Sequence, residues 1–398
     1  MKRTIAIIGG GPSALMLAAQ LDEKKFEVSI YEKNAAPGRK FLVAGQGGFN
    51  LTHSEPLEDF VQKYVPATFF EPLLHSFSNV DMQNWLKEIG IPTFVGSSKR
   101  VFPVKGIKPI EVLDVILEIL KTKNVKIAAR HEWKGWQGGE GLLFDFNGNS
   151  VSIKPDLVVF ALGGGSWKVT GSDGKWINYF TDKKIDIIPF QPANCAIKID
   201  WPVSIVAQFE GKPLKNVSMK CDGKEKQGEV VLSAFGMEGS LVYALNPQVR
   251  NQLKENGKAV IFLDLKPTLD VLTITKRIEL KPGKVSMSKF LEDDLKLSKV
   301  QLLLLKQFTS KEDFTFPEKI ARAIKGLALE VTGLAPIDEA ISTVGGIALN
   351  EITSKFELKK MKKHFAIGEM LDWDAPTGGY LLQACFSMGF QLAAFLNK

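Results

Sequence analysis

The chain has 398 residues, 45% of them hydrophobic and 24% charged, with a formal net charge of +7; this suits a globular protein of two or three domains and excludes global disorder. Its three cysteines, Cys195, Cys221 and Cys385, form no C-x-x-C pair and its four histidines show no ligand spacing, so neither a disulfide framework nor a metal centre is expected, and a reducing, cytoplasmic setting is. The densest lysine clusters, residues 359–363 and 222–226, read as solvated faces rather than a nucleic-acid stripe, and no apolar stretch is long and unbroken enough to span a bilayer.

Residues 4–8 read as a short buried strand. The basic start and apolar run resemble a signal peptide, but Gly9-Gly10-Gly11-Pro12 breaks the run and is better explained as a glycine loop. Pro12 stands where a helix would begin, a position that tolerates a missing N–H, and Leu15, Leu17, Ala18 and Leu21 supply that helix with an apolar face. Residues 26–31 alternate as a second strand, with Glu32 at its end. Residues 34–50, glycine-rich and without periodicity, read as a loop.

Helices are expected over residues 81–89 and 109–121, strands of a small hairpin or meander over 125–133 and 142–147, and a buried parallel strand over 157–162. From Pro189 to about Leu265, short alternating segments and turn signals such as Asp222-Gly223 predict a β-rich region. Residues 269–325 predict helices, strand character returns from Ser342, and residues 384–396 close the chain as an apolar-faced helix. The expected organisation is a discontinuous α/β dinucleotide-binding domain, residues 1–189 and 342–398. Its insertion has a β-rich part at 190–265, a helical part at 266–325, and a return through the β-rich part at 326–341.

Gly9, Gly11 and Ala14, with Pro12 and Ser13 between them, match G-x-G-x-x-[GA]. Gly9 allows a tight turn, Gly11 lets the backbone approach a pyrophosphate, and Ala14 keeps the helix close to the sheet, while the helix N-terminus offers N–H groups to the phosphates. Glu32, 23 residues after Gly9, stands where an acidic side chain accepts hydrogen bonds from a ribose, beside Lys33. In the following loop, Arg39, Lys40, Gln46, Gly47 and Asn50 combine cations and exposed N–H groups near that pyrophosphate; the alternative is a loop with a solvated Arg-Lys pair.

Ala161, Leu162 and Gly163 end an apolar strand in small residues, which lets a second segment pass close beneath a dinucleotide. No helix and acidic strand follow in the pattern of a second nucleotide fingerprint. Near the C-terminus, Gly368 and Glu369 end another strand, and Glu369 or Asp372 suits a ribityl chain. Gly378, Gly379 and Tyr380 open the last helix, whose N-terminus suits a flavin pyrimidine edge. The three segments together point to flavin adenine dinucleotide and redox chemistry. Arg100 either reaches a substrate carboxylate or is solvated. No Ser-His-Asp or Cys-His arrangement is defensible.

With these motifs, the chain resembles the BaiN-type, or aminoacetone-oxidase-type, FAD-binding flavoproteins, also called NAD(P)/FAD-dependent oxidoreductases. The likeness covers most of the chain. It rests on G-G-G-P-S-A at 9–14, Glu32, P-G-R-K at 37–40, R-V-F-P at 100–103, A-L-G-G at 161–164, T-V-G-G-I at 343–347, and the 368–380 segment. The resemblance implies a Rossmann-like FAD domain of the fumarate-reductase-like group with inserted β-barrel-like and small helical domains, non-covalent FAD, and Glu369 as a ribityl ligand. This chain has G-Q-G-G-F-N at 45–50 where a larger branch has G-G-G-R-C-N, so no substrate or mechanism carries over from that branch.

The function expected is an FAD-dependent oxidoreductase of a small organic substrate, its flavin reduced by NAD(P)H or by substrate hydride, with no nucleic-acid or membrane partner. The alternatives are a tRNA-modification-type flavoprotein or a flavin-binding protein without turnover.

Overall fold

An unbroken apolar run is what a strand covered on both faces requires. In the computed structural model, Arg3–Ile8 is the middle of a five-stranded parallel sheet whose spatial order is His364–Ala366, Leu157–Phe160, Arg3–Ile8, Phe26–Glu32 and Lys126–Ala129. Ile5 lies opposite Leu157 on one side and Val28 on the other, and Ile5, Ile7 and Ile8 are buried. The structure describes residues 1–43, 48–138 and 141–398, without the side chain of Ser204. These residues form two units, residues 1–191 with 342–398, and residues 192–341.

In the first unit, the helix Pro12–Gln20 packs along the C-terminal helix Tyr380–Leu396. Gly389 permits the contact: a Cβ there would stand 2.6 Å from the Ser13 carbonyl oxygen and 2.9 Å from the Leu17 nitrogen. Asn397 closes the far end, its Nδ2 donating to Gln20 O at 2.9 Å and its Oδ1 accepting from Asp22 N at 2.9 Å.

Two local expectations are corrected. Residues 125–133 are not one strand of a meander. Arg130 adopts φ +59 and its N–H donates to Asn34 O, so Lys126–Ala129 joins the parallel sheet while His131–Gln137 starts a separate antiparallel meander with Gly141–Phe146 and Asn149–Ile153. Residues 34–50 are not wholly loop, because Arg39–Val43 is a short helix anchored by buried Phe41. One turn is too short to leave a periodic signal.

The second unit holds a seven-stranded antiparallel sheet centred on the hairpin Pro213–Cys221 and Lys224–Leu232. Four helices, Val271–Glu279, Met287–Asp293, Lys299–Gln307 and Pro317–Lys325, share its core, with Ile274, Leu304 and Ile320 in one cluster with Val217, Ile261 and Leu329. Asp270, Ser286 and Ser298 start the first three by accepting from the backbone N–H three residues on, the usual way to satisfy an orphan donor at a helix start.

Gly389→Leu is expected to destabilise the first unit by about 1–3 kcal/mol through overpacking against the first helix. Urea unfolding of the flavin-free protein checks it: an unchanged midpoint would show that the two helices tolerate separation.

Candidate active site

The first strand delivers the chain into a turn that only glycine fits. Gly9 has φ +99, its N–H donates to Tyr31 O at 2.8 Å, and a Cβ on it would stand 2.4 Å from Ala161 O. Gly10 N–H donates to Glu32 Oε2 at 2.9 Å, while Oε1 accepts from the backbone N–H and side-chain amide of Asn34, each at 2.8 Å. Glu32, 8% exposed, therefore ties the loop to the end of its neighbouring strand. Asn34 Oδ1 in turn accepts from Arg39 Nη1 at 2.9 Å.

Gly11 behaves differently: a Cβ there meets nothing within 4 Å. It caps the first helix without a side-chain partner, Pro12 has no N–H, and the N–H groups of Ser13 and Ala14 have no intrahelical acceptor. An open face at a helix N-terminus suits an anionic group.

Gly9, Gly11, Glu32, Lys33, Arg39, Lys40, Ala161, Leu162 and Gly163 all line one cleft of about 250 Å³. The free donors and the space in front of Gly11 fit a dinucleotide with its pyrophosphate at the helix start. Lys40 reaches past the cleft: its Nζ lies 2.8 Å from Glu369 Oε2 and 3.0 Å from Ser166 Oγ. Thr343 N–H donates to the other Glu369 oxygen at 3.4 Å. Gly368, at φ +86, lets this segment pass Ser13, since a Cβ would stand 2.6 Å from Ser13 Oγ.

Other expected site residues sit elsewhere. Asp372 Oδ1 accepts from Gly345 N–H at 3.0 Å, where it pins a glycine turn. Asn50 N–H donates to Gly48 O. Gln46 and Gly47 lie outside the described residues. Gly378 and Gly379 have φ +113 and +103, and a Cβ on Gly379 would stand 2.5 Å from Thr52 Cα. The following Tyr380 donates its hydroxyl proton to Glu55 Oε1. Burial, reinforced by Glu55, pushes the Tyr380 phenol far above its ordinary value, so it stays protonated. Burial holds His53, stacked on Tyr380 at 5.3 Å, below its ordinary value.

The sequence reading missed a segment that borders the cleft, residues 170–175. Asp173 pairs with Lys33 at 3.1 Å, Asn34 Nδ2 donates to Thr170 O at 3.5 Å, and Ser172 Oγ donates to Gly164 O at 2.8 Å. Its signal was the T-G-S-D-G run at 170–174, which only position in the fold connects to Lys33. Trp133 and Trp176 also line the cleft. Burial pushes the Cys385 thiol up to about 12 and that of Cys221 up to about 11, so neither is a nucleophile at neutral pH. Among the described residues, no group of His, Cys, Asp and Glu could hold a metal, and no helix is long and apolar enough to cross a membrane.

Two substitutions separate cradle from scaffold. Gly11→Val, which projects into open space, is expected to keep the fold and weaken FAD binding at least about 100-fold, a loss of roughly 2.7 kcal/mol. Gly9→Val forces φ strain and a backbone clash and is expected to lower the melting temperature of the flavin-free protein itself. Flavin titration and thermal unfolding of both variants check this, and normal flavin retention by Gly11→Val would remove the pyrophosphate assignment.

Comparison with known proteins agrees with this architecture. Residues 3–395 match the HI0933-like protein Rossmann domain. The 3-dehydro-bile acid delta(4,6)-reductase of Clostridium scindens is 22% identical, with 97% of each chain aligned. A ribosomal RNA dihydrouridine synthase of Haemophilus influenzae is 23% identical, with 98% of each chain aligned. Among solved structures, the 3-ketosteroid delta1-dehydrogenase of Sterolibacterium denitrificans has the same fold, with a TM-score of 0.54 at 11% identity over the whole of both chains. A flavocytochrome c3 fumarate reductase has a TM-score of 0.51 at 12% identity, over 98% of this chain and 77% of that one. The chain belongs to the HI0933-like Rossmann-domain family and is an FAD-dependent oxidoreductase.

Proposed function

We propose that this protein reduces carbon–carbon double bonds conjugated to a carbonyl group, with NADH or NADPH as the electron donor. One observation carries the reading. Two relatives that align over nearly the whole chain are named for delta(4,6) reduction of a 3-dehydro-bile acid and for dihydrouridine formation in ribosomal RNA. Chemically, each named reaction adds two hydrogens across a double bond conjugated to a carbonyl.

When bound, FAD supplies hydride transfer. The protein's share is to hold and orient. The glycine turn, Glu32 and the first helix would hold the adenosine and pyrophosphate, and Lys40 with Glu369 would hold the ribityl region. Hydride addition to a double bond needs no protein nucleophile, and burial holds the Cys221 and Cys385 thiols protonated. Cysteines that form no disulfide suit the reducing, cytoplasmic setting that belongs to this reading.

A small organic substrate is the first reading. The second is a uridine in ribosomal RNA, favoured by the Haemophilus influenzae synthase and by that of Escherichia coli, 21% identical over 97% of this chain.

The test is anaerobic. The flavin-loaded protein is mixed with NADH or NADPH and the visible flavin band is followed. Bleaching, then recovery of the band on adding a cyclic enone, is the expected result. Recovery with unmodified ribosomal RNA and not with enones selects the second reading. A band that neither nucleotide bleaches overturns the donor assignment, and a bleached protein that neither acceptor restores overturns the reductase.

A further inference from the structure

The short sheet Thr52–His53, Arg100–Pro103 and Thr93–Val95 carries a cation with no counterpart. Arg100 is half-buried, and among the described residues its guanidinium has neither an ion-pair nor a hydrogen-bond partner. The guanidinium lies against the twin-glycine turn: a Cβ on Gly378 would stand 3.4 Å from its Nε. Its charge also acts on Tyr380 and His53.

The nearby carboxylate is already engaged. Glu55 accepts the Tyr380 hydroxyl proton and pairs with Lys63 Nζ at 3.3 Å. His53 Nδ1 accepts from Glu55 N–H at 3.3 Å. Lys63 and the Tyr380 hydroxyl therefore occupy that carboxylate, and among the described residues the five guanidinium N–H donors of Arg100 are left without an acceptor. A partly desolvated, unpaired charge is costly unless something else completes it.

Strand register says what shares that face. Side chains two apart on a strand point the same way, as do directly paired residues. Arg100 and Phe102 are two apart, His53 pairs with Arg100, and Phe94 pairs with Phe102. The Phe94 and Phe102 rings stack with centroids 5.7 Å apart, and Phe94 is 47% exposed. A flat apolar surface thus adjoins an unpaired planar cation.

We propose that Arg100 binds the carbonyl oxygen of the unsaturated substrate, with the Phe94–Phe102 stack against its apolar body. This rests on the reductase reading. Reduction of the conjugated bond takes a hydride at the β-carbon, which bound FAD would supply at the expense of NAD(P)H. It takes a proton at the α-carbon, from water. The β-carbon's π-electron pair moves toward the carbonyl oxygen as the hydride arrives and returns to the α-carbon as the proton adds. Arg100 stabilises the charge on that oxygen in between, the role of a preorganised donor at a developing oxyanion.

Binding without turnover tests it. Flavin-loaded protein is titrated by calorimetry with 4-nitrophenolate, a planar oxyanion, and with 4-nitroanisole, its neutral counterpart. The natural protein is expected to prefer the phenolate by about tenfold or more, a difference of about 1.4 kcal/mol. Arg100→Gln should erase the preference, Arg100→Lys should keep part of it, and Phe94→Ser should weaken both probes alike. Flavin content and melting temperature report whether each variant folds, and Arg100→Lys decides if the glutamine variant does not. No preference in the natural protein, or a preference that survives loss of the charge, overturns the proposal. A protein that binds phenolate through Arg100 and yet reduces no enone overturns the reductase reading and leaves the oxyanion subsite standing.

Discussion

The Glu32 carboxylate is the interaction on which the site depends. It accepts from Gly10 at the turn and twice from Asn34 beyond the second strand. Together with the Gly9 N–H bond to Tyr31 O, it fixes the turn between the first strand and first helix against the neighbouring strand. Asn34 passes the constraint on, toward Arg39, toward the carbonyl of Thr170, and through its own carbonyl to Arg130. One buried anion thereby organises three segments around the cleft. Its oxygens already have protein donors, so a bound ribose would join an existing network rather than create one.

The second constraint is the absence of side chains where backbones cross. Gly9 against Ala161, Gly379 against Thr52 and Gly389 against Ser13 all leave no room for a Cβ. Each is a place where distant parts of the chain come within backbone contact. Gly11 is the exception in the same motif, because a Cβ there would meet nothing and the space in front of it is open to a ligand. The same residue type thus serves packing at one position and binding two residues later.

The α/β class and the Rossmann-like half were legible because their signals are local. A buried strand, a glycine turn, a proline at the helix start and an acidic strand end all fall within residues 4–32. The rest was hidden for physical reasons. Lys40 and Glu369 lie 329 residues apart, and no spacing rule links them. The break at Arg130 depends on a left-handed backbone at a non-glycine residue, which composition does not announce. Residues 170–175 carry no signal of a site on their own until Lys33 and Asn34 appear beside them. Arg100 was visible as a cation, but whether it had a partner could be decided only by seeing what surrounds it.

The order of strands also bears on how the protein is made. The five-stranded sheet takes its edge strand from His364–Ala366, and the first helix takes its packing partner and its cap from Tyr380–Asn397. A nascent chain therefore exposes the apolar flank of residues 12–20 until residues 380–396 have been made. Residues 192–341, whose strands and helices pair among themselves, are complete while the surrounding unit still lacks its last strand. Sequential emergence from the ribosome favours folding of residues 192–341 first. The first unit is completed only when residues 364–366 pair with residues 157–160 and the last helix packs on the first.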